Sequence, residues 1–405
     1  MLDFERQIQT LRERFDQAQT PVLSIYCDVN PAKLENAGKA WLKRVKNTLK
    51  EMPEIRNREG KRDTPLYDAV LELLEAERPE ARTMALFAVR DANGELYTER
   101  LDLRVELPVV DLARGRVDMR YGAPYLTPLF FAVDEYERAG VLHLESGGWR
   151  FYEVFLGDIR EDEQIFADIT PVEWRELRDL AQRITDAFDA RGVGPGGRYD
   201  RLSPEERAAA RVSAWMHRFY GRLSQLLDKA LDRLDIERLA LMGEQWQVRH
   251  FESYLSRGTR NRIVARIPHP KNAATPARKD LEERILPALE EAERRTEIEL
   301  LDHIREQPGL WGMDPVLDAL QLGRVQVWVL PWSLEARIWR CREDRFVAVT
   351  QDIARLLCSE PEEVALRDHV WDLAAEFGAR LEFVRGPAEE RLLRDMGGTA
   401  ALLRW

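Results

Sequence analysis

Trp311 to Pro331 reads WGMDPVLDALQLGRVQVWVLP. The stretch predicts a helix over Asp314 to Leu322, a glycine at the helix end, and an apolar strand over Arg324 to Pro331. Helix, turn and buried strand in immediate succession are the grammar of an α/β domain. Downstream, LAAEFGARLEFVRG (Leu373 to Gly386) repeats it, with a helix from Asp368 to Phe377 and a strand RLEFVR. Ala354 to Cys358 reads as a further short helix, and the apolar tail MGGTAALLRW is expected to dock on the domain. Upstream, a long charged helix runs from Asp280 to Glu306, behind the linker PHPKNAATPARK.

The two preceding segments also alternate helix and strand. In the first, Phe4 to Ala18 reads as a helix and PVLSIYCDV (Pro21 to Val29) as a buried strand. Helices follow over Ala37 to Glu51 and Leu66 to Glu77, then MALFAV (Met84 to Val89), a turn at Asn93-Gly94, and the alternating LDLRVELP. The second segment opens with a helix at Pro128 to Arg138, then GVLHLE and WRFYEVFLG joined at Gly147-Gly148 as a hairpin. A helix over Pro171 to Ala190 leads to the loop RGVGPGGRYDRLSPEE and a long helix from Pro204 to Leu234. The strand RLALMG, a helix over Trp246 to Leu255 and the strand NRIVARI close the segment. Three α/β domains are expected, over residues 1–126, 127–267 and 268–405.

The chain has 405 residues, 44% hydrophobic and 33% charged, and a formal net charge of -11. That balance speaks against a protein uniformly coated in nucleic acid and leaves local basic patches open. Cys27, Cys341 and Cys358 are odd in number and far apart, so no disulfide framework is expected and a reducing cytosol fits. No apolar run approaches the ~20 residues of a membrane span, and the charged amphipathic start has no signal-peptide core. The expectation is cytoplasmic, soluble and monomeric, with no membrane partner.

Taken together, Trp311–Pro331, Leu373–Gly386 and the ending GGTAALLRW resemble the C-terminal domain of archaeal–eukaryotic class-1 release factors and Pelota. They correspond to the helix–Gly–strand opening, the Phe-Gly-Ala-x-Leu-Glu strand entry and the Gly-Gly-Ile-x-x-Ile-Leu-Arg-Tyr terminus of that superfamily. Bacterial release-factor-like proteins, some of them similar to ribosome hibernation factors, form the branch most similar in character. The resemblance implies an L7Ae-like C-terminal domain and an RNase H-like middle domain. It also implies the ribosome as partner, through ribosomal RNA, with P-site tRNA and a translational GTPase as further candidates.

Release factors carry Gly-Gly-Gln at the tip of the middle domain, and the matching loop here holds Gly194, Gly196, Gly197 and Arg198. Glycines let the backbone approach the tRNA end closely. Glutamine offers a donor and an acceptor, whereas arginine offers donors only and a fixed charge. The substitution argues against peptidyl-tRNA hydrolysis by the usual route and leaves phosphate or base contact open. Gly192, Gly194 and Gly197 also fit a G-x-G-x-x-G fingerprint, but the loop follows a helix rather than a strand, so dinucleotide binding is rejected.

Arg207, Arg211, Arg218, Arg222, Lys229 and Arg233 share one face of the long helix, running about 39 Å at ~1.5 Å per residue. From Arg191 to Arg233 nine Lys/Arg stand against five Asp/Glu, a local +4. Such a stripe suits a phosphate backbone, although a solvated helix face gives the same pattern. Lys43, Lys46, Arg58 and Lys61 belong to a second run, Lys39 to Arg62, with nine basic against three acidic residues, a local +6. There the resemblance implies contact near the decoding centre, without the Asn-Ile-Lys-Ser motif that reads stop codons. The six histidines have no metal-ligand spacing, no catalytic pair is identified, and no metal or cofactor is expected. The reading is a ribosome-binding factor occupying the A site for hibernation or stalled-ribosome handling. Its alternatives are a peptidyl-tRNA hydrolase and a non-ribosomal interaction module.

Overall fold

The computed structural model describes residues 8, 10, 11, 13–15, 21–52, 64–90, 95–112, 116–145, 148–177, 179, 204–269, 277–341 and 346–405. These form two compact units, one of residues 1–137 with 293–405, the other of residues 138–292. The fold is mixed α/β in both, as expected from the sequence.

The first unit begins with a four-stranded antiparallel sheet. Its strands are β1 (Val22–Asp28), β2 (Thr83–Arg90), β3 (Leu96–Leu103) and β4 (Val117–Gly122), in the order β3-β2-β1-β4. All seven side chains of β1 are buried, because both sheet faces are covered. Leu23, Ile25 and Cys27 meet Trp41, Val45 and Leu49 of α1 (Ala40–Glu51) and Leu66, Val70 and Leu74 of α2 (Thr64–Ala76). On the other face Tyr26 lies edge-on to Phe87, whose ring is 5.7 Å from Phe15. Helices α3 (Pro108–Leu112) and α4 (Thr127–Glu135) complete this part.

The second unit is built on a five-stranded sheet. Its strands are β5 (Ala139–His143), β6 (Arg150–Phe155), β7 (Asp158–Glu161), β8 (Arg238–Gly243) and β9 (Ile263–Pro268). They are ordered β7-β6-β5-β8-β9, with β5, β8 and β9 mutually parallel and β6 and β7 antiparallel. Alternation divides the strands cleanly. Leu142, Phe151, Leu239 and Leu241 face α5 (Pro204–Arg233) and α6 (Gln245–Glu252). Val141, Tyr152, Ala240 and Met242 face Leu281 and Ile285, in the first turns of α8 (Arg278–Glu306). The short α7 (Arg257–Asn261) precedes β9.

After α8 the chain returns to the first unit. A second sheet orders β10 (Gly309–Trp311), β16 (Ala400–Leu403), β11 (Val325–Pro331) and β15 (Arg380–Val384) as β10-β16-β11-β15. The helix–strand pair within Trp311–Pro331 is α9 (Met313–Gln321) and β11, closed by Gly323 at φ 67. A small sheet of β12 (Arg337–Arg340), β13 (Val347–Ala348) and β14 (Glu362–Ala365) sits beside α10 (Gln351–Leu357), ahead of α11 (Val370–Phe377) and α12 (Gly386–Asp395). Within this unit the ring of Phe130 on α4 stacks on Trp371 of α11, with centroids 3.6 Å apart. Asp134 of α4 accepts the Phe383 backbone N–H of β15 at 2.7 Å.

One expectation is corrected. Cys341 and Cys358, read as free thiols, are joined as a disulfide across 17 residues, with Cα atoms 5.9 Å apart. The β12–β13 hairpin and α10 fold the chain back, so the two cysteines meet although they are far apart in sequence. Cys27 stays a free, buried thiol, and burial pushes it up to about 12.

Candidate nucleic-acid interface

Helix α5 is positioned by its inward face. Met216, Phe219, Tyr220, Leu223, Leu227 and Leu231 are buried against the sheet of the second unit. Full burial of a side chain of this size contributes about 1.5–3 kcal/mol, so the rotation of α5 about its axis is fixed. Trp215 stacks on Phe219 at 5.0 Å and flanks this core rather than offering a free base platform. The stripe residues Arg211, Arg218, Arg222, Lys229 and Arg233 consequently point outward, and all are exposed.

Exposure does not make them equivalent. Arg222 donates to Glu173 Oε1 at 3.0 Å and to the Asp168 carbonyl at 3.1 Å. Glu173 in turn belongs to a capping box. Its carboxylate accepts the Thr170 N–H at 2.8 Å while Thr170 Oγ1 accepts the Glu173 N–H at 3.2 Å, with Pro171 following the cap. Those backbone and hydroxyl donors from Thr170, then Arg222, hold the Glu173 carboxyl below its ordinary value. Arg233 donates to Asp162 at 2.6 Å. Two members of the stripe therefore fasten the segment 162–173 to α5. Arg211, Arg218 and Lys229 form no ion pair among the described residues. The Arg207 side chain and the loop residues Gly194, Gly196, Gly197 and Arg198 lie outside the described residues.

The basic run of the first unit is divided in a similar way. Lys43 is exposed, whereas Lys46 pairs with Glu75 at 2.6 Å. Arg44 turns inward to the Asp28 carbonyl at 3.2 Å and to Asn36. Arg58 and Lys61 lie outside the described residues. Beside this run, the buried Asp28 at the end of β1 accepts from Asn30 N and Asn36 Nδ2 through one oxygen and from Lys33 and Arg116 through the other. Burial opposes ionisation, but those four donors outweigh it and lower the Asp28 pKa. Sequence reasoning missed this network because its members are scattered over nearly 90 positions.

At the C-terminal ends of the parallel strands of the second unit, His143 Nε2 lies 3.0 Å from His269 Nδ1. Glu145 Oε1 lies 2.9 Å from His143 Nδ1 but is not aligned for a hydrogen bond. Burial and the neighbouring His143 lower the His269 pKa. Among the described residues no group of three or more His, Cys, Asp or Glu is arranged to hold a metal ion. Among the same residues no helix is long and apolar enough to cross a membrane.

Residues 124–290, which span α4 and all but the last two residues of the second unit, match the model of bacterial archaeo-eukaryotic release factor family 10. No curated protein matches the chain. Among solved structures, the archaeal translation termination factor aRF1 is 14% identical, over 99% of this chain and 98% of that one, with a TM-score of 0.24. Archaeoglobus fulgidus Pelota is 14% identical over 80% of this chain and 79% of its own, with a TM-score of 0.30. S. cerevisiae Dom34, described as a translation termination-like factor, is 10% identical over 80% of each chain, with a TM-score of 0.38. Over residues 124–290 the chain is thus similar to a bacterial family of archaeo-eukaryotic release factors.

Proposed function

We propose that this protein is a release-factor-like translation factor that binds the ribosome without codon-specific peptide release. The observation that carries the reading is the outward row Arg211, Arg218 and Lys229 on α5, unpaired among the described residues and set inside the segment that matches the family. Each cation that neutralises a phosphate releases counterions, so such a row binds RNA in a salt-dependent way. In this proposal residues 127–267 carry the RNA-facing middle domain between the domains of residues 1–126 and 268–405, and the factor occupies the A site in hibernation or stalled-ribosome handling. Lys43 lies on the surface assigned to the decoding end. A translational GTPase that delivers the factor, and contact with P-site tRNA, belong to the same proposal.

Arg198 in place of glutamine removes the acceptor that would orient an attacking water, which favours occupancy over catalysis. The retained pair Gly196-Gly197 supports a second reading, a peptidyl-tRNA hydrolase that uses a backbone amide. Sucrose-gradient sedimentation with ribosomes at low salt tests the first. The protein is expected in the 70S or 50S fractions, and its absence under both growth and stress conditions refutes ribosome binding. Release of peptide from a stalled complex by the wild-type chain decides for the hydrolase.

A further inference from the structure

Helix α6 presents one face to the core and another to solvent. At ~100° per residue Val248 and Phe251 fall on the same side, and both are buried. Trp246, Arg249 and His250 fall opposite, and all three are exposed, Trp246 by 46%. An exposed tryptophan is the unusual feature, because this side chain is on average highly buried.

One helical turn on from Trp246, His250 belongs to a supported ladder of rings. Tyr254 lies 5.0 Å from Tyr220 with planes 28° apart, 5.3 Å from His217 and 5.4 Å from His250. Tyr220 is buried and its ring lies 5.9 Å from Phe251, so the ladder stands on the hydrophobic core. His217 and His250 are at the exposed end. The outer rings are therefore held in place before any ligand arrives, which limits the entropy lost on stacking.

The short helices α6 and α7 carry exposed arginines, while two of the acids near them are occupied. Glu252 is engaged by Arg266 through two hydrogen bonds of 3.0 and 2.6 Å. Asp228 accepts from the hydroxyls of Ser256 and Thr259, which fastens α7 to α5. Arg249, Arg257 and Arg260 are exposed and make no ion pair among the described residues. Glu244, at the N-cap of α6, is the opposing exposed charge.

We infer that α6 and α7 form a second RNA contact, one that takes unpaired bases: Trp246, His250 and Tyr254 offer stacking faces, and Arg249, Arg257 and Arg260 hold the phosphates between them. Base–aromatic stacking is tolerant of sequence, and guanidinium groups add phosphate and cation–π contacts. The surface serves a single-stranded loop rather than a helix, because duplex bases have no free face. The inference deepens the ribosome-binding reading, and it is testable apart from it.

The experiment is fluorescence anisotropy of the full chain with a labelled ten-nucleotide single-stranded RNA and with a blunt duplex of the same sequence. Single-stranded RNA is expected to bind more tightly than duplex. Trp246→Ala should weaken it about tenfold, and Arg257→Glu/Arg260→Glu should weaken it and flatten its salt dependence. Tyr254→Phe, which keeps the ring, should bind as wild type, and Tyr254→Leu should not. Equal affinity for duplex, or affinity unmoved by Trp246→Ala, overturns the inference. So does capture of a peptide but no RNA, which would assign the rings to a protein partner. Wild-type chain that sediments with ribosomes yet ignores the oligonucleotide defeats this inference alone. Chain that binds the oligonucleotide through Trp246 yet never sediments with ribosomes defeats the ribosome reading alone.

Discussion

Arg222 Nη1 lies 3.0 Å from Glu173 Oε1, so a residue that reads in sequence as part of an RNA-facing stripe is held by the protein's own carboxylate. The same stripe therefore contains two kinds of arginine. Arg211→Glu/Arg218→Glu should lower ribosome association tenfold or more and reduce its dependence on salt. Arg222→Ala should leave association within about twofold. Its cost is the loss of an exposed ion pair, measurable as looser hydrogen-exchange protection over residues 162–177. Equal loss of binding in both variants would mean that the Glu173 pair opens on the ribosome.

Glu297 predicts an alkaline weakness. Burial first, then the nearby Glu135 and Glu293, outweigh Arg294 and raise its carboxyl from 4.5 to about 9. Among the described residues its Oε2 has no hydrogen-bond partner. Below 4.5 the folded and unfolded chains are both protonated there. Between 4.5 and about 9 only the unfolded chain ionises, so stability falls as pH rises through that window. Glu297→Gln should be more stable than wild type at pH 8, by roughly 1–3 kcal/mol, and nearly equal to it at pH 4.5. Urea midpoints at the two pH values measure the difference. Asp134, buried and raised in the same direction, should leave a residual slope.

Asp28 predicts the opposite limb. Its pKa is lowered from 3.8 in the folded chain, so its stabilisation is present above 3.8 and disappears as pH falls through the folded value. Asp28→Ala removes the carboxylate shared by Lys33, Arg116, Asn30 N and Asn36 while leaving Lys33 on Glu106 at 2.9 Å, and should cost about 3 kcal/mol at pH 7. Circular dichroism against urea at pH 7 and pH 3 should show the variant's deficit shrinking at the lower pH.

The Cys341–Cys358 bond closes a loop of 17 residues, which in the chain-entropy view is worth about 3 kcal/mol. Reduction, or Cys358→Ser, should loosen β12, β13, β14 and α10 while the sheet around β11 keeps its exchange protection. Hydrogen exchange with and without dithiothreitol, read by peptide mass, resolves the two regions. A reducing cytosol would hold the pair as thiols, so the measured thiol content of freshly lysed cells fixes which form is working.

Legibility from sequence followed periodicity. β1, β2, α5 and β11 were readable because each packs against a core and carries the apolar spacing that burial demands. β4 escaped notice because one of its six residues is buried and the others are half exposed, so VDMRYG has no alternating signature. β12, RIWR, is similar. α12 was hidden by its charge: GPAEERLLRD buries Ala388 and Leu392 and shows solvent the rest. At the candidate interface the stripe on α5 could be read from its spacing, but the pairing of Arg222 and Arg233 could not, since their partners lie 49 and 71 residues away. Trp246 and Arg249 did carry a signal, three residues apart on a short helix. It becomes meaningful once Tyr220 is known to lie beneath Tyr254.

Strand β16, the latest of its sheet in chain order, is not at an edge. It lies between β10 and β11 and pairs with both. Until residues near 400 clear the exit tunnel, β10 has no neighbour and one side of β11 is bare. The sheet of residues 138–292 is already complete by then, since all its strands precede residue 269. Vectorial synthesis thus imposes an order of assembly, with the sheet of residues 138–292 finished while the β10–β16–β11–β15 sheet still waits for its inner strand. A chain that stops before residue 400 would leave β10 unpaired and one side of β11 as a raw sheet edge open to aggregation.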